Sequence, residues 1–142
     1  MVFRYYHDYY DSPDRTITEQ LYYMTVNGTT GVVSQPVKIF EEVHLTDAGL
    51  NGYYPIRDLQ MTIDLYNRPH LLWRKSANGS CENLNLQEIY YTYKNGGVWL
   101  APENISNNST SSRYPDLASD DAGNIYAIWV DGTTYDSSCN VS

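Results

Sequence analysis

The chain has 142 residues, of which 42% are hydrophobic and 18% are charged, the composition of a folded domain that buries a core. Its formal net charge of −8 disfavours nucleic acid as a partner, and it contains no apolar run long enough to span a membrane. Tyrosine occurs 15 times, and this bias, together with the lack of a helical hydrophobic stripe, favours β-strands.

Two blocks of sequence recur along the chain. Residues 19–23 (Glu-Gln-Leu-Tyr-Tyr) return as 87–91 (Gln-Glu-Ile-Tyr-Tyr), and each copy is followed at the same spacing by Asn-Gly. Residues 71–73 (Leu-Leu-Trp) return as 127–129 (Ala-Ile-Trp). The blocks are displaced by 56 to 68 residues, as in a protein built from structural repeats with small insertions.

Each repeat has the alternation of β-strands. Leu59, Met61 and Ile63 alternate with polar residues, which predicts one buried face, and 121–124 (Asp-Ala-Gly-Asn) is a tight-turn signal. Four strands per repeat, A to D, account for the pattern. The predicted strands are A at 57–64 and 114–120, B at 2–7, 68–75 and 124–130, C at 19–26 and 87–94, and D at 32–39 and 98–103.

In chain order, these strands read B-C-D, A-B-C-D, A-B, or about nine strands. The pattern predicts an all-β fold, a β-propeller fragment, with residues 1–142 forming one partial propeller domain. Residues 55–103 form a complete four-stranded antiparallel blade, while 1–40 and 114–142 form partial blades. A β-sandwich or another all-β solenoid is the alternative architecture.

Two segments carry a family resemblance. Residues 114–131 (Tyr-Pro-Asp-Leu-Ala-Ser-Asp-Asp-Ala-Gly-Asn-Ile-Tyr-Ala-Ile-Trp-Val-Asp) and 88–106 resemble blades of sialidase-like propellers with BNR, or Asp-box, repeats. The resemblance covers nearly the whole chain, is best over 87–131, and implies a propeller of about six or seven blades that is often secreted or surface-exposed.

The chain departs from this family at its two best-known motifs. The Asp-box pattern is Ser-x-Asp-x-Gly-x-x-Trp, whereas 92–99 has Thr and Lys in place of the Ser and Asp. Sialidases resemble one another in an Arg-Ile-Pro segment that begins an arginine triad, but 55–57 is Pro-Ile-Arg. The resemblance therefore gives no support for catalysis, and no catalytic residue is predicted.

The connections between the predicted strands differ in length at the two ends of a blade. The A–B and C–D turns are short, whereas the B–C loops (8–18, 76–86, 131–142) and D–A loops (40–56, 104–113) are long. Long loops at one end of a repeat scaffold are where binding usually resides. Tyrosine rings and arginines there suit the recognition of sugars. The candidate ligand-binding residues at this long-loop end are Tyr53, Tyr54, Arg57, Arg113 and Tyr114.

No binding or catalytic role is predicted for the tryptophans and the histidines. Trp73, Trp99 and Trp129 are assigned to the core, because two of them recur in register on strand B. The three histidines have no spacing for a metal site or a catalytic triad, and each is predicted to be structural or solvated. These histidines are His7, His44 and His70.

Neighbouring carboxylates are poor candidates for acid–base chemistry. Asp120-Asp121 and Glu41-Glu42 are adjacent on turns or strands, so each pair points apart and cannot flank one glycosidic bond. Asp120-Asp121 is interpreted as turn chemistry at the start of the second A–B hairpin.

The two cysteines, Cys81 and Cys139, lack Cys-x-x-Cys spacing, so no zinc site and no cofactor is predicted. They fall in equivalent loops of neighbouring blades, which we expect to hold them too far apart for a disulfide, although flexible loops leave the bond open. Dense Asn-x-Ser/Thr sequons suit either a glycosylated secreted protein or Asn/Ser-rich loops. They begin at Asn27, Asn78, Asn104, Asn107, Asn108 and Asn140.

The sequence therefore predicts a non-catalytic extracellular or cell-surface binding module that recognises a glycan or a protein on its long-loop face. Part of a sialidase-like glycoside hydrolase is one alternative, and a structural repeat of a surface protein is another. The expected partners are a glycan or extracellular protein and the remaining blades of the parent chain, with no nucleic acid and no membrane span.

Overall fold

The computed structural model describes residues 2–11, 14–47, 56–76 and 87–133, which form β-strands and turns and no helix. The predicted all-β class, with antiparallel sheets, is confirmed. The chain divides into two compact units, Met1–Asn51 and Gly52–Ser142. Over the described residues, no helix has the length and apolar character that a membrane crossing needs.

The first unit is a three-stranded antiparallel sheet. Its strands, in the spatial order β1-β2-β3, are Val2–Asp11, Asp14–Tyr23 and Val37–Asp47. β1 and β2 pair along their whole length, ending with Asp11 opposite Asp14. The loop predicted at 8–18 is therefore wrong, because most of its residues extend the ladder. Tyr9 opposite Thr16, for example, is a pair of good strand formers.

The third strand begins later than its sequence predicts. β3 runs from Val37 to Asp47, whereas the predicted D strand covers 32–39, so the loop predicted at 40–56 is wrong as far as Asp47. Val33 instead forms an isolated bridge with Val26 and closes a turn. Pro36 follows this turn and has no N–H to donate, so a continuous ladder begins only after it.

The repeat seen in the sequence is also a repeat of strand register. In the first unit Arg4 lies opposite Leu21, and in the second unit Arg74 lies opposite Ile89. Leu21 and Ile89 are both fully buried. The predicted B and C strands of the two units therefore pair in the same way.

The second unit contains a four-strand meander whose last strand is split. Its strands are β4 (Arg57–Ile63), β5 (Pro69–Ser76), β6 (Gln87–Asn95), β7 (Val98–Trp99) and β8 (Glu103–Asn104). β5 lies between β4 and β6, and both β7 and β8 pair with β6, so the single meander predicted for 57–103 is confirmed. Pro102 lacks an N–H and separates β7 from β8, so the nine predicted strands appear as ten among the described residues.

A hairpin of β9 (Ser111–Ser119) and β10 (Ile125–Thr133) packs on the β4–β6 sheet. Leu117 of β9 joins Leu72 and Ile89 in a buried apolar cluster. Ser119 adds polar contacts, because its Oγ atom lies 2.9 Å from Thr62 Oγ1 and donates to the carbonyl of Ile63 at 2.8 Å. The partly buried residues around the cluster are Tyr91, Ile105, Ile125, Ala127 and Trp129.

Alternation along β5 gives this strand two buried faces. His70, Leu72 and Arg74 lie on the face that the β9–β10 hairpin covers, and all three are buried. Trp73 lies on the opposite face, is fully buried, and stacks on Tyr90 with ring centroids 6.2 Å apart. A strand buried on both faces accounts for the continuous apolar run at 71–73.

The other two tryptophans assigned to the core are less buried than Trp73. Trp99 and Trp129 are half-buried, and Trp129 donates from Nε1 to Asp131 Oδ1 at 3.1 Å. Cys81 and Cys139, together with the predicted disulfide question, lie outside the described residues.

Candidate functional site

The β4–β5 and β9–β10 hairpins are closed by the same aspartate turn, at Asp64 and, 56 residues later, at Asp120. In each turn the aspartate Oδ1 atom accepts hydrogen bonds from the backbone N–H groups two and four residues further on, at 2.8 to 3.0 Å. The third residue after each aspartate has a left-handed backbone, with φ 58° at Asn67 and 86° at Gly123. The turn role predicted for Asp120-Asp121 is thus present at Asp120.

Asp64 is held by charged and aromatic neighbours. Arg68 Nε lies 2.6 Å and His70 Nε2 lies 3.2 Å from Asp64 Oδ2. Burial acts to raise the pKa of Asp64, but the backbone and side-chain N–H groups of Arg68, and His70, outweigh it and lower the pKa to about 2. His70 Nδ1 lies 2.6 Å from the Tyr91 hydroxyl, so this histidine is a buried link between the turn and β6.

Asp120 is held by neutral donors instead. Its Oδ2 atom accepts hydrogen bonds from Asn124 Nδ2 and from the Tyr126 hydroxyl, both at 2.8 Å. The side-chain and backbone hydrogen bonds from Asn124, with that from Tyr126, lower the pKa of Asp120 to about 2. Tyr126 therefore takes the place that His70 has in the first hairpin. At the short-turn end of both hairpins, the aspartates therefore stabilise the turns.

At the opposite, long-loop end, a β-bulge recurs with the same 56-residue spacing. The strand register shifts just after Arg57 in β4 and just after Arg113 in β9. The next residues, Asp58 and Tyr114, have φ of 52° and 55°, an uncommon and strained conformation for residues other than glycine. Bulges redirect side chains and are frequent beside binding sites. Three sequence-predicted site residues therefore lie at these two bulges.

Arg74 of β5 joins Arg57 and Arg113 in an arginine cluster. Arg74 pairs across the strands with Arg57, its side chain is only 10% exposed, and its Nε atom lies 3.0 Å from Asp58 Oδ2. Burial, together with the nearby charges of Arg113 and Arg57, lowers the pKa of Arg74, while Asp58 acts in the opposite direction. Two guanidinium groups thus act on a largely buried third, and the Asp58 carboxylate acts against their effect on Arg74.

A serine hydroxyl and an exposed tyrosine ring lie beside the arginine cluster. Arg113 Nε donates to Ser111 Oγ at 3.3 Å, which holds the arginine over the start of β9. The Tyr114 side chain is 66% exposed next to the cluster. Tyr53 and Tyr54, the other predicted ligand-binding residues, lie outside the described residues.

This arrangement suits the binding of an anion. A guanidinium presents a planar fork of N–H donors that matches a carboxylate, and hydrogen bonds between charged groups are about twice as strong as neutral ones. The low exposure of Arg74 reduces solvent screening at that point. Within the described ranges, no group of three histidine, cysteine or carboxylate side chains is placed to hold a metal ion.

A buried polar network, which sequence reasoning missed, fixes the connection between β8 and β9. Asp131 Oδ1 accepts hydrogen bonds from Ser112 Oγ at 2.5 Å and from Asn108 Nδ2 at 3.1 Å. Glu88, which is 2% exposed, accepts from the Asn108 backbone N–H at 3.3 Å and from the Ser106 hydroxyl. The side chain of Asn108, the first residue of one predicted sequon, therefore makes hydrogen bonds within the fold.

Other residues considered in the sequence analysis have partners of their own or lie outside the described part of the chain. Glu41 forms an ion pair with Lys38 at 2.7 Å, on β3 of the first unit. The side chains of His7 and His44 are outside the part of the chain that the structure describes. Arg74 is the residue of this cluster that sequence analysis did not predict. The feature that identifies it is structural, namely its cross-strand position opposite Arg57.

Comparison with models of protein families, with curated proteins and with solved structures finds no match to this chain. The resemblance of 87–131 to sialidase-like propeller blades therefore rests on the sequence, and it stays a prediction.

Proposed function

We propose that this chain is a segment of a β-propeller and a non-catalytic module that binds an acidic glycan at its long-loop end. The observation that supports the ligand class is the arginine cluster, in which Arg74 is largely buried, lies opposite Arg57 across the strands and is affected by the charge of Arg113. Asp58 lies 3.0 Å from Arg74 and offsets part of this charge, and a largely buried cation with like-charged neighbours favours a further anion at the site. The carboxylate of an acidic sugar supplies that anion.

The repeat geometry supports the propeller. Two consecutive A–B hairpins share a turn and a bulge at the same spacing, and the second packs its apolar face on the sheet that contains the first. Repeat proteins bury a continuous core by stacking units in this way. We propose that this stacking continues around a sialidase-like propeller whose long loops lie at one end of each blade.

Charge and shape support a small acidic sugar over a polyanion. The chain carries a net charge of −8, so a nucleic acid would be repelled over most of the surface, whereas a single carboxylate meets only the local cluster. The exposed ring of Tyr114 offers an apolar platform for the C–H face of a pyranose beside that cluster. We place the protein at the cell surface or outside the cell, where such glycans are displayed.

The test is binding of the full chain to a glycan array with paired acidic and neutral members. Removing a charged hydrogen-bonding partner should weaken binding to acidic glycans by about tenfold or more, so Arg74→Gln and Arg113→Gln should each do so. Lys38→Gln removes one positive charge on the other unit and is the control for net charge. Tyr114→Ala should weaken binding, whereas Tyr66→Ala, which changes a tyrosine of similar exposure (68%), should not.

The other outcomes identify the alternatives. Hydrolysis of a sialoside reporter by the full chain would replace this proposal with a sialidase-like hydrolase. Binding to an acidic peptide, with no glycan bound, would make the ligand a protein. Equal behaviour of parent and Arg74→Gln on every ligand would leave a structural repeat as the function.

A further inference from the structure

The β9–β10 hairpin has one covered face and one open face. Leu117 packs inward on the β4–β6 sheet, with Trp129 half-buried beside it. Tyr126, Ile128 and Val130 lie on the other face of β10 and are 53%, 67% and 50% exposed. We call these three residues the outer face. The side chains on adjoining β9, Asp116 and Ala118, are also exposed, so the opening extends across the hairpin.

The preceding repeat shows what such a face normally contacts. The residues 56 positions before the outer face are His70, Leu72 and Arg74, which are 3%, 0% and 8% exposed. Their cover is the β9–β10 hairpin itself, with Leu117 seated on Leu72. The same positions of two equivalent hairpins are therefore closed in one repeat and open in the next.

We propose that the outer face is a docking surface for a further repeat of the same kind, whose A–B hairpin covers β9–β10 as β9–β10 covers β4–β5. Three adjacent apolar side chains that are half-exposed or more form a patch that a neighbouring surface typically buries. Tyr126 is already held in place through its hydroxyl by Asp120, so its ring is ordered before docking. This inference rests on the stacking of repeats proposed above, and it does not depend on the ligand of the arginine cluster.

A second copy of this chain fits the surface less well than a further repeat. The cover is the inner face of a hairpin, and in each copy that face, at Leu117, is already packed on its own β4–β6 sheet. A further repeat in the same protein brings a hairpin whose inner face is still available.

The new junction differs from the existing one at the position of Arg74. Val130 stands where Arg74 stands in the first hairpin. A repeat docked on the outer face would therefore meet an apolar contact, and it would not create a second arginine cluster. The anion site belongs to the existing junction alone.

The experiment compares the 142-residue chain with an extended chain in which Thr133 is followed by a second copy of residues 78–133, which keeps the 56-residue spacing. Hydroxyl-radical labelling, resolved by mass spectrometry, reports side-chain access. Labelling of Tyr126 should fall several-fold in the extended chain, and Ile128→Asp in that chain should restore it. Tyr66, which is 68% exposed in the existing turn, is the unchanged internal control.

Two results would overturn the proposal. One is undiminished labelling of Tyr126 in an extended chain whose circular dichroism shows the added strands folded. The other is a 142-residue chain that sediments as a dimer with Tyr126 already protected, since the occupant would then be a second copy.

A second measurement covers an extended chain that does not fold. A dye that binds exposed apolar surface should fluoresce with the 142-residue chain, and Ile128→Asp should remove most of that signal. Val98→Asp changes a similarly exposed residue (65%) on β7 and should leave the signal in place. Equal loss in both variants would contradict a continuous docking surface at the outer face.

Discussion

The β4–β5 and β9–β10 hairpins have the same local structure and different surroundings. Both have an aspartate turn at one end and a bulge with positive φ at the other. Leu72 in the first is fully buried, whereas Ile128, at the same repeat position in the second, is 67% exposed. Turn and bulge are therefore properties of the hairpin sequence, while burial is a property of the neighbouring repeat.

The same comparison separates scaffold from function. Position 74 is an arginine within a charged cluster, and position 130 is an exposed valine, although both follow the same tryptophan on strand B. The backbone repeats, but the chemistry at the long-loop end does not. A binding residue is thus best sought where equivalent positions of a repeat differ.

The largest expected difference between the two hairpins is in their apolar residues. Leu72→Ala should lower the free energy of unfolding by about 2–5 kcal/mol, because it leaves a cavity in the core between the sheets. Ile128→Ala, at the equivalent exposed position, should change it by less than about 0.5 kcal/mol. Urea unfolding of both variants makes the comparison, and equal losses would show that the outer face is buried in solution.

The turn aspartates should differ next. The pKa of each is lowered from 3.8 to about 2, so each stabilises the fold at neutral pH, and this contribution is lost as the pH falls from about 4 through 2. Asp64→Asn should be more destabilising than Asp120→Asn, because Asp64 is buried against a charged arginine whereas Asp120 has neutral partners.

Thermal melts from pH 7 to pH 2 test both statements. The gap between the parent and each variant should narrow toward pH 2, since each parent carboxylate is about half protonated there and has lost most of its contribution to stability. A gap between parent and Asp64→Asn that stays constant down to pH 2 would contradict the role of the ionised carboxylate.

A smaller difference is expected inside the turns. Gly123→Ala should cost about 1 kcal/mol, because φ is 86° there and the new methyl group meets only ordinary contacts, the nearest to Tyr66 at 3.5 Å. Asn67→Gly in the other turn should be nearly neutral, since asparagine already tolerates its φ of 58°. Chemical denaturation compares the two, and a neutral Gly123→Ala would show that the turn relaxes.

The smallest expected effect distinguishes strain from recognition. Tyr114→Asn should raise the free energy of unfolding by less than about 1 kcal/mol, because asparagine tolerates positive φ better than tyrosine does. The same change should weaken binding to acidic glycans by removing the exposed ring. Unfolding and array measurements on one preparation test this opposition, and a loss of both stability and binding would instead make Tyr114 a packing residue.

The sequence predicted the hairpins better than it predicted their limits. Alternation at Leu59, Met61 and Ile63 and the turn signal at 121–124 were sufficient to place β4 and the β9–β10 turn. The buried face predicted from that alternation was wrong, because Met61 and Ile63 are exposed. The outer part of the β1–β2 ladder was missed because the aspartates at 8, 11 and 14 suggest a loop, whereas the register pairs all three within strands.

The site was only partly predictable, because its residues are distant in the sequence. Arg57 and Arg113 were noticed at the starts of strands, but Arg74 follows Trp73 in what looks like an ordinary core strand. Its place in the cluster depends on the bulge that sets it opposite Arg57, and a register shift leaves little trace in composition. The turn between β4 and β5 was predicted from the break between the strands at 57–64 and 68–75, but the role of Asp64 in that turn was not predicted.

The split of the last strand of the meander also limits how the molecule associates. β7 and β8 have two residues each and are separated by Pro102, so this edge offers no continuous row of N–H and C=O groups to an incoming strand. Growth of the sheet sideways, which is the route to amyloid-like aggregates, is blocked at this edge. At this edge, contact through a face of the sheet is therefore favoured over pairing with an added strand.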